Sequence, residues 1–342
     1  MTRLLALFLV TLAVPAASPA HGGELGLSQE VGQLIVMSFK GTVAPPYVLA
    51  ALRERKAAGV ILFRGNVSSP RQLRTLTQQL SRAGSNPVIA VDQEGGSIRI
   101  VPWAPPRSSA ADQAEAGTVG RDARAAAAAL RSAGVTVSLA PVADVPSVPR
   151  AALAGRSFSR RPERASEAVA AAVAGWRAGG IAPTAKHFPG LGGAKVNTDE
   201  GSVTITRTRS QIEAGDLPPF RAAIRAGAPL VMISHARYPA LDGHRIASQS
   251  RAIIEGLLRS ELGFRGVAMT DSMEAQASLA TGSITAVSER AVLAGADLLL
   301  LTGRGSYRPV HRHLLAKARH SASFRERVRE AAARVLALRA GL

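Results

Sequence analysis

Short apolar runs recur along this chain, and between them lie Ala- and Arg-rich stretches whose apolar residues return every three or four positions. Eight runs have strand length: residues 34–39, 59–63, 88–91, 136–139, 182–187, 230–234, 266–270 and 297–301. Most are continuous rather than alternating, which is the pattern of a parallel strand covered on both faces. The stretches 70–83, 121–133, 162–178, 211–226 and 250–262 carry helical spacing. Ser166 with Glu167, and Ser210 ahead of Glu213, supply capping chemistry for two of their starts. Glycines at 59, 134, 179, 227, 266 and 295 mark the return from helix to strand. Eight alternations predict an α/β protein, a single-domain TIM-type (β/α)8 barrel over residues 21–342, rather than an open sheet. The tail from Tyr307 to Leu342 reads as an amphipathic helix that closes the barrel.

In such a barrel the C-terminal ends of the strands build the active site. Here those ends read Lys40-Gly41, Arg64-Gly65-Asn66, Asp92-Gln93-Glu94-Gly95-Gly96 and Pro141 to Asp144. Lys186-His187, Ser234-His235, Asp271-Ser272-Met273 and Thr302-Gly303 follow. Carboxylates, His, Lys and Asn gather on this side, and the strand starts carry none of this. That asymmetry predicts an enzyme. The richest stretch is TAKHFPGLGGAKVNTDEGSVTI at 184–205, where a strand breaks at Phe188-Pro189-Gly190 into a flexible, Gly-rich polar loop. Such a loop suits the mouth of a pocket better than a core.

The formal net charge of +18 adds a basic surface. Its arginines are scattered and have few aromatics beside them, whereas a nucleic-acid surface concentrates charge on one element, so no nucleic-acid partner is expected. Polyanionic surroundings such as a bacterial cell wall fit the balance, and so does a plain Arg- and Ala-rich coding bias. Residues 1–20 have a secretory signal layout: Arg3, an apolar run over 4–14, and small residues up to Ala20. That run is short for a bilayer span, and cleavage after Ala20 would leave no transmembrane segment. Cys is absent, which excludes disulfides, thiolate metal sites and a lipid anchor on an N-terminal cysteine. A secreted or cell-wall-associated product is expected. No Walker-type loop or GxGxxG follows a strand, and neither a cofactor nor a metal is expected. Nothing in the pattern speaks to oligomeric state.

Six stretches then stand out in order: VDQEGG at 91–96, LAPVADV at 139–145, GRSF at 155–158, KHFPG at 186–190, MISHARYPALD at 232–242 and MTDSMEA at 269–275. Together they resemble glycoside hydrolase family 3, specifically its single-domain β-N-acetylhexosaminidases, over nearly all of the chain after residue 20. The resemblance implies a retaining glycosidase that removes terminal β-N-acetylglucosamine from cell-wall or chitin-type oligosaccharides through a covalent glycosyl-Asp intermediate. Such chemistry needs a carboxylate nucleophile and a proton donor about 5–5.5 Å apart. Asp271, directly after the buried run ending at Thr270, matches the family's nucleophile. By the same resemblance Lys186 and His187 hydrogen-bond hydroxyls of the terminal sugar, and Arg156 reaches that sugar too. Asp92 resembles the ligand of two hydroxyls, since a carboxylate accepts both at once. The Arg that usually follows the EGG turn falls on Ile100, with Arg99 beside it. Asp144 reads as a structural carboxylate and is left outside the site.

One position departs from the pattern. In the hexosaminidase subgroup the loop after KHFPG carries an Asp-Ser-His triplet, whose His, polarised by its Asp, is the acid/base. Counted from His187, the triplet falls on Asn197-Thr198-Asp199. Three readings stay open. Asp199 is itself the proton donor, a carboxyl with a raised pKa doing the work of an imidazole. Alternatively Glu200, or a residue on a mobile loop, donates. Otherwise hydrolysis has been lost and the barrel binds sugar. Among enzymes, a β-glucosidase or β-xylosidase of the same superfamily is the alternative.

Overall fold

The computed structural model describes residues 25–303 and 305–342, so the signal-like segment 1–20 lies outside the described residues. Eight parallel strands form among them: β1 (Ile35–Met37), β2 (Gly59–Ile61), β3 (Val88–Val91), β4 (Val137–Ser138), β5 (Ala182–Phe188), β6 (Leu230–Ile233), β7 (Val267–Ser272) and β8 (Leu298–Leu301). Each pairs with its sequence neighbours, and β8 pairs with β1, so the barrel closes. Helices between the strands cover it outside, making the single-domain (β/α)8 barrel that the eight alternations predict. The continuous apolar runs follow from this layering. Val36, Leu298 and Leu300 fill the barrel interior while Ile35, Met37 and Leu299 pack outward against helices, so both faces of each strand must be apolar.

The helices differ from the expectation in their capping and in where they divide. The helix Pro162–Ala178 begins on Pro162, whose missing amide costs nothing in a first turn. Ser166 is inside that helix, its hydroxyl donating back to the Pro162 carbonyl at 2.6 Å. The stretch 211–226 is two helices, Arg209–Gly215 and Leu217–Arg225, because Pro218 and Pro219 suit the start of a new helix and cannot extend an old one. Thr208 rather than Ser210 caps the first, its hydroxyl accepting the Gln211 amide at 3.2 Å while the Gln211 side chain accepts the Thr208 amide at 2.9 Å. Residues 252–261 wind as a wider π-type helix. The tail is also two helices, Tyr307–His320 and Ala322–Ala340, divided at Ser321, which caps the second.

Val335 of that last helix joins the barrel interior, with Leu338 and Leu342 packed against it, and so closes the end away from the catalytic mouth. One carboxylate does sit at a strand start. Asp297, just ahead of β8, is fully buried and meets Arg259 at 2.5 Å, Arg327 at 2.5 Å and Arg334 at 3.1 Å. It also accepts the Ala268 amide at 2.9 Å. Its lone pairs are thereby occupied by the scaffold, which makes it a structural group. No helix among the described residues is long and apolar enough to cross a membrane.

Candidate active site

Beyond β3 the chain turns through a small antiparallel hairpin, Gln93–Gly95 against Ile98–Arg99. Alternation along this segment puts Asp92 and Glu94 on one side and Gln93 on the other. The Gln93 amide holds the hairpin from behind, donating to the carbonyls of Val101, Ala104 and Pro105. In front, the Lys186 ammonium lies 2.6 Å from Asp92 Oδ1 and 2.7 Å from Glu94 Oε1. Arg156 forks onto Glu94, Nε to Oε2 at 2.8 Å and Nη2 to Oε1 at 2.6 Å, the bidentate geometry a guanidinium favours. Burial alone would raise the Glu94 pKa, but Lys186 and Arg156 overcome it and hold the carboxyl down at about 2. Burial likewise opposes charge on Lys186, and Asp92 and Glu94 more than offset it, so its pKa is raised.

The structure therefore brings Asp92, Arg156 and Lys186 into one salt-bridge network, with Glu94 as the joint that sequence reasoning missed. Its signal was present: an acid two residues after Asp92, on the same face. Asp92 and Arg156, with 22% and 21% of their side chains exposed, are the members open to a ligand. Arg99 donates to the Gly96 and Pro102 carbonyls at 3.1 Å each, so its guanidinium serves the hairpin and does not replace the arginine displaced by Ile100.

Register against β6 shifts between Lys186 and Phe188, and this bulge lets successive residues serve the mouth. Lys186 reaches the acidic pair, while His187 turns to Asp144. The buried Asp144 accepts the amides of His187 (3.1 Å) and Leu191 (2.6 Å), and its Oδ2 lies 2.7 Å from His187 Nδ1. With Nδ1 committed there, His187 Nε2 faces Asp271 Oδ2 at 4.0 Å. Asp144, expected as a structural carboxylate outside the site, also meets the His187 ring and so orients it. Replacing Asp144 by Ala would strand two amides and an imidazole in a dry setting. A loss of about 3–5 kcal/mol in folding stability is expected, the cost of breaking a buried pair. A denaturant midpoint series would read it, and a loss under about 1 kcal/mol would contradict this role.

Asp271 emerges where β7 also slips register, between Met269 and Ser272. Its Oδ1 accepts the Ser272 amide at 2.7 Å. Burial pushes its carboxyl up, yet His187 and His235, the Ser272 amide and Lys186 together hold the pKa below the usual carboxylate value. His235 is a further residue of the mouth. One ring nitrogen lies 2.7 Å from Ser248 Oγ and the other 2.8 Å from the Ser272 carbonyl, which braces the peptide after Asp271.

Asp199 sits exposed on the loop after β5. That loop is tied down rather than flexible at this point. Buried Thr198 accepts the Ala277 amide on its carbonyl at 3.0 Å, and the Asp199 carbonyl lies 3.4 Å from the Gln276 amide. Both donors belong to the segment that follows Asp271. Asn197 closes the turn, its side-chain oxygen accepting the Asp199 amide at 3.3 Å and its side-chain nitrogen 3.4 Å from Asp199 Oδ2. Partial desolvation first, and the negative charge of Asp271 second, raise the Asp199 pKa, against the pull of His187, His235 and Arg156. Glu200 is exposed beside it and makes no side-chain hydrogen bond among the described residues. No cluster of three or more His, Asp or Glu suited to a metal occurs among those residues.

The family model described as the N-terminal domain of glycosyl hydrolase family 3 matches residues 26–338. A protein of Arthroderma benhamiae named an uncharacterized secreted glycosyl hydrolase is 34% identical over 313 residues, covering 87% of this chain and 88% of that one. A β-hexosaminidase of Nitrosomonas eutropha is 33% identical over 284 residues, 78% of this chain and 80% of its own length. The crystal structure of a β-N-acetylhexosaminidase from Beutenbergia cavernae matches with a TM-score of 0.86 at 32% identity, over 93% of this chain and 99% of that one. A match of this extent takes in the whole barrel and every strand end that carries the site, and the chain therefore belongs to glycoside hydrolase family 3 and is a glycosidase of the β-N-acetylhexosaminidase type.

Proposed function

We propose that the protein is a retaining hydrolase that removes terminal β-N-acetylglucosamine from oligosaccharides, with Asp271 as nucleophile and Asp199 as acid/base. The observation that carries this reading is Asp271 at the end of β7, 4.0 Å from His187, with Asp199 on a loop latched to the segment that follows Asp271; their surroundings push the Asp271 pKa down and the Asp199 pKa up. The lowered group is ionised and able to attack the anomeric carbon. Asp199 is the group assigned to give a proton to the leaving oxygen and then to take one from the water that cleaves the glycosyl-Asp271 ester. Asp92, Arg156, Lys186 and His187 hold the sugar while this happens. Asp92→Ala is expected to weaken N-acetylglucosamine binding by about 1–3 kcal/mol, since Lys186 would lose a partner as the sugar loses an acceptor. Calorimetric affinity equal to wild type would remove Asp92 from the clamp.

Export to the cell wall or the medium, with wall or chitin-type fragments as substrate, is part of the same proposal. It is supported by the layout of residues 1–20, the net charge of +18 and the name of the Arthroderma relative. A second reading, a barrel that binds sugar without cleaving it, is favoured only by Asp199 standing where the subgroup has His. Incubation with N,N′-diacetylchitobiose, whose leaving sugar needs a proton, separates the two. An enzyme releases N-acetylglucosamine from it, whereas a barrel that has lost its acid binds the disaccharide and leaves it intact.

A further inference from the structure

A cavity of about 830 Å³ opens at the barrel mouth, and neither Asp271 nor a residue of the sugar clamp lines it. It lies over the ends of β1, β2 and β8 and against the first turns of the helices Pro46–Arg53 and Tyr307–His320. We propose that this cavity receives the leaving group, and that the leaving group it fits is an organic anion with an aromatic or apolar body. This rests on the glycosidase reading above and extends it to what the sugar is cleaved from.

Continuity with the reacting centre is the first support. Thr302 stands in the cavity wall, and its hydroxyl lies 2.5 Å from that of Ser272, the residue after Asp271. The sugar clamp occupies the mouth above β3, β4 and β5, and the nucleophile rises from β7. A glycosidic bond cleaved at Asp271 therefore has the unfilled sector of β8, β1 and β2 on its far side. Wall chemistry is the second support. Phe39, Phe63, Tyr47 and Tyr307 give the cavity aromatic surface, and Tyr47 leaves 40% of itself exposed. A solvent-facing aromatic in a concave wall is a natural platform for a flat apolar group. Charge is the third. Lys40 and Arg308 line the cavity, the Arg308 guanidinium 6.0 Å over the Tyr47 ring, and no carboxylate lines it among the described residues. The sugar pocket is acidic, and its neighbour is cationic and apolar, so the two halves of one ligand are asked to differ in the same way.

The test uses two N-acetylglucosaminides that differ in one substituent of a fused aromatic leaving group, the anionic carboxymethyl of 7-hydroxycoumarin-4-acetic acid against the neutral methyl of 7-hydroxy-4-methylcoumarin. Wild type should prefer the anion in kcat/KM by about two- to fivefold, the range of an exposed ion pair. Arg308→Ala should remove that preference, a ratio that cancels any general damage to the enzyme. Tyr47→Ala should raise KM for both by about two- to tenfold, the scale of one aromatic contact. Fluorescence titration of the two free coumarins into wild type and both variants repeats the comparison without turnover. Should neither glycoside be cleaved, the glycosidase reading fails, and the titration still decides the cavity. Equal affinity for both coumarins, indifferent to Tyr47 and Arg308, would overturn the proposal.

Discussion

Asp271→Ala is expected to lower the turnover of 4-nitrophenyl β-N-acetylglucosaminide by at least about a thousandfold, on protein that still folds. The scale follows from catalytic groups that act as a unit, where loss of one removes nearly all of their joint effect, up to about a millionfold. The fold should survive because Asp271 holds nothing else in place. Its carboxylate accepts one hydrogen bond, from the adjacent Ser272 amide, and 16% of its side chain is exposed at the mouth. The variant also offers a positive signature. Truncation leaves room for azide where the carboxylate stood, so the anion attacks the anomeric carbon from that face. A carbon–nitrogen bond forms, the bond to the phenolic oxygen breaks, and its electron pair leaves with nitrophenolate. The product is the α-glycosyl azide, inverted relative to the substrate. Wild-type rates from a variant with unchanged circular dichroism would remove Asp271 from the mechanism.

How much of this was readable in advance varies with the physics of each feature. Parallel strands covered on both faces must be apolar throughout, so all eight could be placed from the sequence with small errors at their ends. The helices Pro70–Ala83 and Pro162–Ala178 could be bounded to the residue, because proline marks the start of each and glycine follows its end. The breaks at Asp216 and Ser321 were hidden by an apolar period that continues across them, although Pro218-Pro219 and the serine cap were both in view. In the site, residues at strand ends were legible because the barrel sends every such end to one mouth. Glu94 and Asp144 were in view as strand-end acids, but their roles were not, because those roles depend on partners far away in the chain. Glu94 is defined by an arginine 62 residues on, and Asp144 by a histidine 43 residues on. The latched turn at Asp199 was also out of reach. Glycines around it suggest mobility, and only the fold brings the amides of Gln276 and Ala277 beneath it.

Asp199→Asn should separate the two halves of the reaction. Cleavage of N,N′-diacetylchitobiose, whose sugar leaving group needs a proton, is expected to slow by about 10²–10⁴-fold, the usual worth of a positioned acid. Attack on 4-nitrophenyl β-N-acetylglucosaminide needs no such proton and should be largely spared, so that the glycosyl enzyme accumulates. Azide should then replace the water that Asp199 can no longer activate and release the β-glycosyl azide, opposite in configuration to the product expected from Asp271→Ala. The pH dependence has a fixed sign. Asp271 must be ionised, and with its pKa lowered this requirement is met except in acid. Asp199 must be protonated, and its pKa lies above the ordinary 3.8. The wild-type rate on diacetylchitobiose should therefore fall as pH rises through the Asp199 pKa, while the activated substrate keeps reacting with the enzyme above it. In Asp199→Asn that alkaline fall should vanish from glycosylation altogether. A variant that hydrolyses diacetylchitobiose normally would move the proton to Glu200. A wild type that never cleaves it, yet binds N-acetylglucosamine, would mean that the step from His to Asp at this position cost the barrel its acid and left a sugar-binding protein.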